Sequence, residues 1–582
     1  KATSKTRTTY SSSLTACALL TLLASCAFVP STSDDTKADN VKTSSDSSGH
    51  SLLASAPVSS VVCGEDTGLY QELKNPPILT SKNQLIDTDL TAAIEPKCVN
   101  KTLYTLQSYV DKNAGIDKRA VGPAYILDVG KKLENPHLKI KFSNKLGDPN
   151  AQYHCGHDTA GGQHSSEDTL KCTNLHTHGF HISPKGSNDP SKVQSDYVFI
   201  TITPATQTVQ YDFDIPNFHA PGTHWMHAHL HGSTAPQVQN GMAGALILRG
   251  DIDNTLTDKY GISLKNNNDK IMILQQMKLT KTPLCGTSDK GKVIATSING
   301  QCLPKITGDA DDIQRWRFIH AGISATLNLA LVAQDGTKYT LHEFARDGIT
   351  LNGTQIQENI LLQPGYRSDV LVQFPQCSSY PCEMFLIDEK TTTAESLWGE
   401  FEPDNAIAKI VIVNKSNIAL TMPDPAIFTN PYPFICDPKN FQKCTEALPV
   451  KKVWFANEPK DPNDDSKGTY KTVNGGVYPN TPVMDLTLND TNTWKLWVGK
   501  KQSANGASHP FHIHVNPFQV VDDNGFSYWK DTLLVSGTDN YGEENAITVV
   551  SQYENFDGEF VLHCHNLSHE DDGMMMKVKI SK

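Results

Sequence analysis

The 582-residue chain has no Cys-x-x-Cys pair, which leaves a zinc-site reading weak. Positive charge is in deficit: 51 Lys and Arg face 63 Asp and Glu, and the net charge of −12 argues against nucleic acid or any other polyanion as partner. The apolar run from Leu14 to Ala24 is too short to span a bilayer as a stable helix. Methionine is scarce, with ten residues in the whole chain and no Met-rich insert.

What is present points to β-structure. Aromatic and β-branched residues recur in short runs between Gly, Pro, Asn and Asp clusters. The length allows several domains. Lys1, Lys5 and Arg7 precede the apolar run, which ends Leu23-Ala24-Ser25-Cys26 and resembles the lipobox of bacterial lipoproteins. Either lipidation at Cys26 or simple cleavage nearby takes the chain out of the cytoplasm, to the periplasm or cell surface. Residues 1–26 are therefore expected as a signal segment and the Ser/Thr/Asp-rich 27–62 as a disordered linker. Residues 63–119 read as an N-terminal extension packed on a first domain. Three β-domains follow at 120–255, 265–420 and 440–582. Apart from Cys17, Cys26 and Cys564, ten cysteines remain, an even number in an exported chain, which suggests disulfides. Neighbouring pairs are the simplest arrangement, although sequence leaves the connectivity open.

The chemistry sits in histidine clusters. In Val-Leu-His563-Cys564-His565, read as a strand, side chains i and i+2 share a face, so the two imidazoles point one way and the thiol the other. His569 and Met574 follow. A thiolate, imidazoles and a thioether together are the ligands of an electron-transfer copper centre. Three further clusters hold His176 and His178; His227 and His229; and His509, His512 and His514. Each His-x-His pair can aim both imidazoles at one metal. The first and third domains thus each carry an early and a late pair, whereas the second has only the isolated His320 and His342. His154, His157 and His164, between Cys155 and Cys172, read as solvated loop histidines.

HTHG, WMHAH, HPFHIH and HCHNLSHEDDGM resemble, in order, the four copper motifs of the multicopper oxidases, the family of laccases, cuprous oxidases and ferroxidases. The resemblance covers roughly residues 120–582, with weaker echoes at PGYRSDVLV and Asp531-Thr532. It implies an all-β fold of three cupredoxin-like Greek-key β-sandwich domains and four copper ions. By motif, His509, Cys564 and His569 would hold the type 1 copper, with Met574 axial. His176 and His512 would hold the type 2 copper. His178, His227, His229, His514, His563 and His565 would hold the two type 3 coppers. Glu570 matches a carboxylate that donates protons in bacterial members. Asp189 stands where an acid near the type 2 copper is expected, though SPKGSNDPSK departs from the family's Asp-Gly. The implied activity is oxidation of a small-molecule or metal-ion electron donor with dioxygen as acceptor. An axial methionine suggests a low-to-middle potential, which favours electron-rich phenols, aromatic amines, Cu(I) or Fe(II). The lack of a Met-rich insert disfavours a dedicated cuprous oxidase. A copper-binding, copper-tolerance protein with little turnover is the alternative, and contact with a membrane is expected only through the N-terminal lipid.

Overall fold

The computed structural model describes residues 61–582, apart from 131–132, 156–167, 188, 190, 194, 207, 280–282, 289–290, 398–404, 417–419, 462 and 500–506. The expected signal segment, nearly all of the expected linker, and His157 and His164 lie outside the described residues. Among those described, no helix is long and apolar enough to cross a membrane.

Two-residue alternation builds the sheets. In His137–Lys145, Leu138, Ile140 and Phe142 are buried while Lys141 and Lys145 are exposed, so the strand has one core face and one solvent face. The first domain contains β1 (Ile78–Thr80), β2 (Leu85–Val99), β3 (Thr102–Asp111), β4 (Ala124–Asp128), β5 (His137–Lys145), β6 (His176–His178), β7 (Lys192–Val193), β8 (Val209–Asp214), β9 (Gly222–His227) and β10 (Ala243–Arg249). They form two five-stranded sheets, ordered β1-β4-β10-β9-β6 and β3-β2-β5-β8-β7. One core lies between them, with Ile86, Leu90, Ile140, Phe142, Tyr125 and Leu246.

The segment 63–119, expected as an extension packed on this domain, is woven into it. It supplies β1 to one sheet and β2 and β3 to the other, with β2 paired to β3 on one side and β5 on the other. Its alternation is easily overlooked because acids and threonines occupy so much of β2. Asp87 and Asp89 face solvent, and buried Thr88 donates to Asp111 Oδ2 at 2.8 Å.

The second sandwich joins a seven-stranded and a six-stranded sheet, the third a six-stranded and a five-stranded sheet. In the last sheet, strand Gly558–Cys564 pairs antiparallel with strand His509–Ile513, setting His512 opposite His563 and Phe511 opposite Cys564. In the first domain β6 and β9 pair with His176 opposite His227. Register therefore brings histidine motifs side by side within each of these two domains. Among the described residues, five disulfides join neighbouring cysteines along the chain: Cys63–Cys98, Cys155–Cys172, Cys285–Cys302, Cys377–Cys382 and Cys436–Cys444. That is the simplest arrangement expected from sequence, and it suits an oxidising compartment.

Buried charge ties the first two domains. Arg315 donates to Asp253 at 2.6 Å and to Asp369 at 2.5 Å, and Arg317 donates to Asp269 at 2.7 Å. Deleting residues 61–119 is expected to leave an insoluble chain, because losing β2 would bare the edge of β5 and take Ile86 and Leu90 out of the core. A soluble truncated protein with a cooperative urea transition would show that β1–β3 are dispensable.

Candidate metal centre

Strand alternation places two groups of metal-ligating side chains on opposite faces of strand Gly558–Cys564. Cys564 turns into the core of the third sandwich with Phe511, Leu562 and Met574, and it is the free cysteine among the described residues. Its Sγ lies 3.6 Å from His509 Nδ1 and 3.7 Å from His569 Nδ1, and those two nitrogens are 3.3 Å apart. A point equidistant from the three atoms lies about 2 Å from each, the reach of a first-row metal bond to nitrogen or sulfur. Met574 is fully buried in the same core, and its carbonyl accepts from the Cys564 N–H at 3.0 Å. Burial pushes the Cys564 thiol up and holds His509 down at about 3. The metal-free group is thus a thiol among neutral imidazoles, and a bound cation would favour the thiolate.

His563 and His565 face the other way, into the seam between the first and third domains. Here His176, His178, His227, His229, His512 and His514 join them, all at most 1% exposed. Their nitrogens converge. His229 Nε2 lies 3.2 Å from His563 Nε2 and 3.1 Å from His514 Nε2, while His565 Nε2 lies 3.2 Å from His178 Nδ1. The rings of His176 and His514 stack with centroids 4.0 Å apart, as do those of His178 and His512 at 3.9 Å.

Tautomers set by backbone carbonyls make these rings donors of lone pairs. His227 Nδ1 donates to the Ala228 carbonyl and His512 Nδ1 to the Asp531 carbonyl, each at 2.8 Å. Both Nε2 atoms are then unprotonated, and both are buried without a hydrogen-bond partner, as is His176 Nε2. Burial lowers the pKa of every ring in the cluster. Neutral imidazoles aimed at one another's lone pairs fit soft or borderline cations and little else. Three-residue sets such as His176, His512 and His514, or His229, His514 and His563, bring one ligand atom each within 4.8 Å of the others.

Carboxylates hold the rings from outside, as ligand histidines require. Glu570 is fully buried on helix Leu567–Asp571, with Oε2 3.1 Å from His563 Nδ1, Oε1 3.4 Å from His229 Nδ1, and Thr234 Oγ1 donating to it at 3.1 Å. Burial, then the charge of Asp571, raises its pKa well above the usual range. Asp571 accepts the N–H groups of Gly232, Thr234 and Ala235 at 2.7–3.1 Å, clasping the start of helix Thr234–Asn240 across the domain seam. Asp189 does not reach the cluster. It is exposed and bound to Ser191 Oγ at 2.6 Å, because Asp189 belongs to a surface turn rather than a strand.

The acid that sequence reading missed is Asp196, seven residues on. It is 1% exposed, with Oδ2 2.8 Å from His176 Nδ1 and Oδ1 accepting the Thr177 N–H at 2.9 Å. One signal could have found it: an acid at the mouth of the apolar run Tyr197–Ile200. A second omission is Arg367, in the PGYRSDVLV echo of the second domain. Its Nη1 donates to Asp531 Oδ1 at 2.8 Å and its Nη2 to Oδ2 at 2.5 Å, while Oδ1 stands 3.2 Å from His178 Nε2. The second domain, which carries no His-x-His pair, places a charge within one residue of the cluster. His181 and His219 bond elsewhere: His219 Nε2 accepts the His181 N–H at 2.8 Å.

Models of multicopper oxidase domains match residues 166–252 and 452–582, the two segments that carry the histidine motifs. A curated multicopper oxidase from Staphylococcus aureus is 26% identical over 423 residues, 70% of this chain and 77% of that protein. The cell division protein FtsP of Salmonella typhimurium is 25% identical over 56% of this chain and 64% of its own length. Among solved structures, a multicopper oxidase from Campylobacter jejuni described as a metallo-oxidase has a TM-score of 0.62 at 20% identity, over 91% of this chain and 99% of that one. These likenesses agree with the sandwich architecture, and the family implies copper.

Two expectations follow. Asp196→Asn should lower copper affinity or activity about 10–100-fold, whereas Asp189→Asn should leave both within twofold of the parent, measured as bound copper per chain and turnover. Equal effects of the two substitutions would refute the assignment of Asp196. The second concerns pH in the metal-free chain. Burial holds His219, His227 and His509 at about 3 when folded, against about 6.5 when unfolded. As pH falls through that unfolded value, the unfolded chain takes up protons that the folded chain refuses, so stability falls. Asp196 and Asp571, raised by burial to about 7, and Glu570, raised well above its usual range, oppose this by holding protons longer when folded. The buried histidines with lowered pKa values outnumber these acids, so the urea midpoint should drop between pH 7 and pH 5, and a flat midpoint would contradict the buried neutral imidazoles.

Proposed function

We propose that this chain, which is similar to multicopper oxidases in both segments that carry the histidine motifs, is an exported oxidase with four copper ions that couples four one-electron oxidations of a donor to reduction of dioxygen to two waters. The observation that carries the reading is the complete ligand set: His509, Cys564 and His569 converge on one point, and eight buried imidazoles gather in one cluster that holds several three-residue ligand sets. Copper held at these sites would supply one-electron redox chemistry at the first and a place for dioxygen reduction at the second.

The type 1 copper would be held by His509, Cys564 and His569, with Met574, buried in the same core, as a further ligand. The type 2 ligands would be His176 and His512, and the remaining six imidazoles would serve the type 3 pair. The chain's own contribution is a path and a proton. Cys564 is bonded through backbone to His563 and His565, so one residue of main chain separates the two sites. Glu570 is buried against His229 and His563 and is held protonated by its surroundings, which makes it a general acid inside the seam. Thr234 and the Asp571 clasp fix its position. The preferred donors are phenols with electron-releasing groups, aromatic amines, or Cu(I) and Fe(II).

Five disulfides support export. Anchoring at Cys26 rests on the lipobox resemblance alone. The similarity to FtsP, a protein named for division rather than oxidation, keeps copper binding with little turnover as the second reading.

Oxygen uptake by the copper-loaded chain with 2,6-dimethoxyphenol, and then with Cu(I) and Fe(II), separates the two. The expected result is a blue absorption band that bleaches with donor and returns with air. A stable blue band without uptake for any donor would favour copper binding. Glu570→Gln should slow oxygen reduction by about 10²-fold while leaving anaerobic bleaching of the blue band unchanged. Unaltered uptake in that variant would remove Glu570 from proton delivery.

A further inference from the structure

A lysine stands on the core-facing side of the third sandwich, beside the group formed by His509, Cys564 and His569. Strands Val450–Pro459 and Thr469–Val473 pair antiparallel, with Phe455 opposite Val473 and Asn457 opposite Lys471. Alternate residues of a strand share a face, and so do residues directly opposite one another across an antiparallel pair. Phe455, Val473, Asn457 and Lys471 therefore lie on one face. Phe455 and Val473 are fully buried in the same core as Cys564 and Met574, and the Phe455 ring lies 5.6 Å from that of His509. Lys471 ends this row, half-buried beside the exposed Thr469 and Tyr470.

The ammonium is held in place. Its Nζ donates to Asn457 Oδ1 at 3.0 Å across the strand pair. Its charge acts on all three side chains of the group. Burial lowers His509, and Lys471 lowers it further. Burial and the charge of His509 lower His569, with Lys471 adding to both. Burial raises the Cys564 thiol, while Lys471 pulls it back toward the thiolate. Burial also lowers Lys471 itself, against which Asp572 and Cys564 act. Asp572 is exposed, so water and salt screen it, whereas a half-buried ammonium is screened less. A lysine with its stem buried and its head in reach of water keeps its charge.

A fixed positive charge beside a redox centre favours the form of the centre that carries less positive charge. A copper centre that accepts one electron from a donor loses one positive charge, so its repulsion from a nearby ammonium weakens on reduction. Groups around the cysteine sulfur tune such centres in this way. A methionine among the ligands suggests a low-to-middle potential, and the lysine works in the opposite direction.

We propose that Lys471 is an electrostatic positioning residue that raises the reduction potential of the centre held by His509, Cys564 and His569, with Asn457 fixing the ammonium for that task. The inference rests on the copper reading of this group proposed above, and it is independent of dioxygen reduction.

Anaerobic redox titration of the blue band of the copper-loaded full chain tests it. Lys471→Gln keeps a hydrogen-bond donor for Asn457 and removes the charge. Its equilibrium constant for reduction should fall about tenfold, which is about 59 mV for a one-electron couple. Lys471→Arg keeps the charge and should stay within about twofold of the parent. The gap between the parent and the glutamine variant should narrow at about 1 M salt, where the screening length is about 3 Å. An unshifted potential in Lys471→Gln, or an equal fall in Lys471→Arg, overturns the inference while the blue band keeps the copper reading intact. Lys471→Met, neutral and similar in length, serves if the glutamine variant does not fold. Absence of a blue band in the copper-loaded parent overturns the copper reading and this inference together.

Discussion

The structure depends on hiding eight neutral imidazoles from water at the seam of two sandwiches. Removing a ring nitrogen from solvent is costly unless something else takes its hydrogen bond. A ring with one nitrogen tied down keeps the other free for a ligand. Carbonyls of Ala228, Asp531 and Cys564 do this for His227, His512 and His563, and Asp196 does it for His176. The same burial that depresses the histidine pKa values lifts those of Glu570 and Asp196. One desolvated seam thus yields both unprotonated ligands and a protonated acid, and no separate device is needed for either.

Because the seam belongs to two domains, their docking is part of the site. Neither the β6–β9 pair nor the strands around Cys564 and His512 can assemble the cluster alone. The Asp571 carboxylate, which receives three backbone N–H groups from the opposite domain, fixes the approach. It lies next in sequence to Glu570, so the residue that closes the seam also aims the acid within it.

Much of the centre could be read from sequence because its geometry is local. In a strand, i and i+2 share a face, and that rule alone separates Cys564 from His563 and His565 before any fold is known. The disulfides follow the simplest pairing, each joining neighbours along the chain, although sequence alone leaves their connectivity open. What escaped reading depends on long-range placement. Asp189 and Asp196 differ by seven residues and cannot be told apart as partners of His176 without knowing which of them the loop turns inward. Strands β2 and β3 were hidden by Asp87, Thr88 and Asp89, whose polarity masks a regular alternation with one face in the core. Arg367 belongs to a domain with no ligand motif, so nothing local marks its reach into the cluster.

That arginine explains what a ligand-free middle domain contributes. Arg367 is fully buried, its guanidinium grips both oxygens of Asp531, and it also donates to the carbonyls of Gly365, Thr223 and Asp347. A buried carboxylate beside His178 and His512 would otherwise be free to take up a proton or turn away from the rings. A planar five-donor group from a third domain prevents both, and lysine could not reproduce that fork. The Arg315–Arg317 network, anchored in Asp253 and Asp269 of the adjoining segment, holds the strands that carry this domain against the first one. The middle sandwich therefore acts on the cluster through one rigid cation, and its two buried ion-pair systems make sense as a single support rather than as separate contributions to stability.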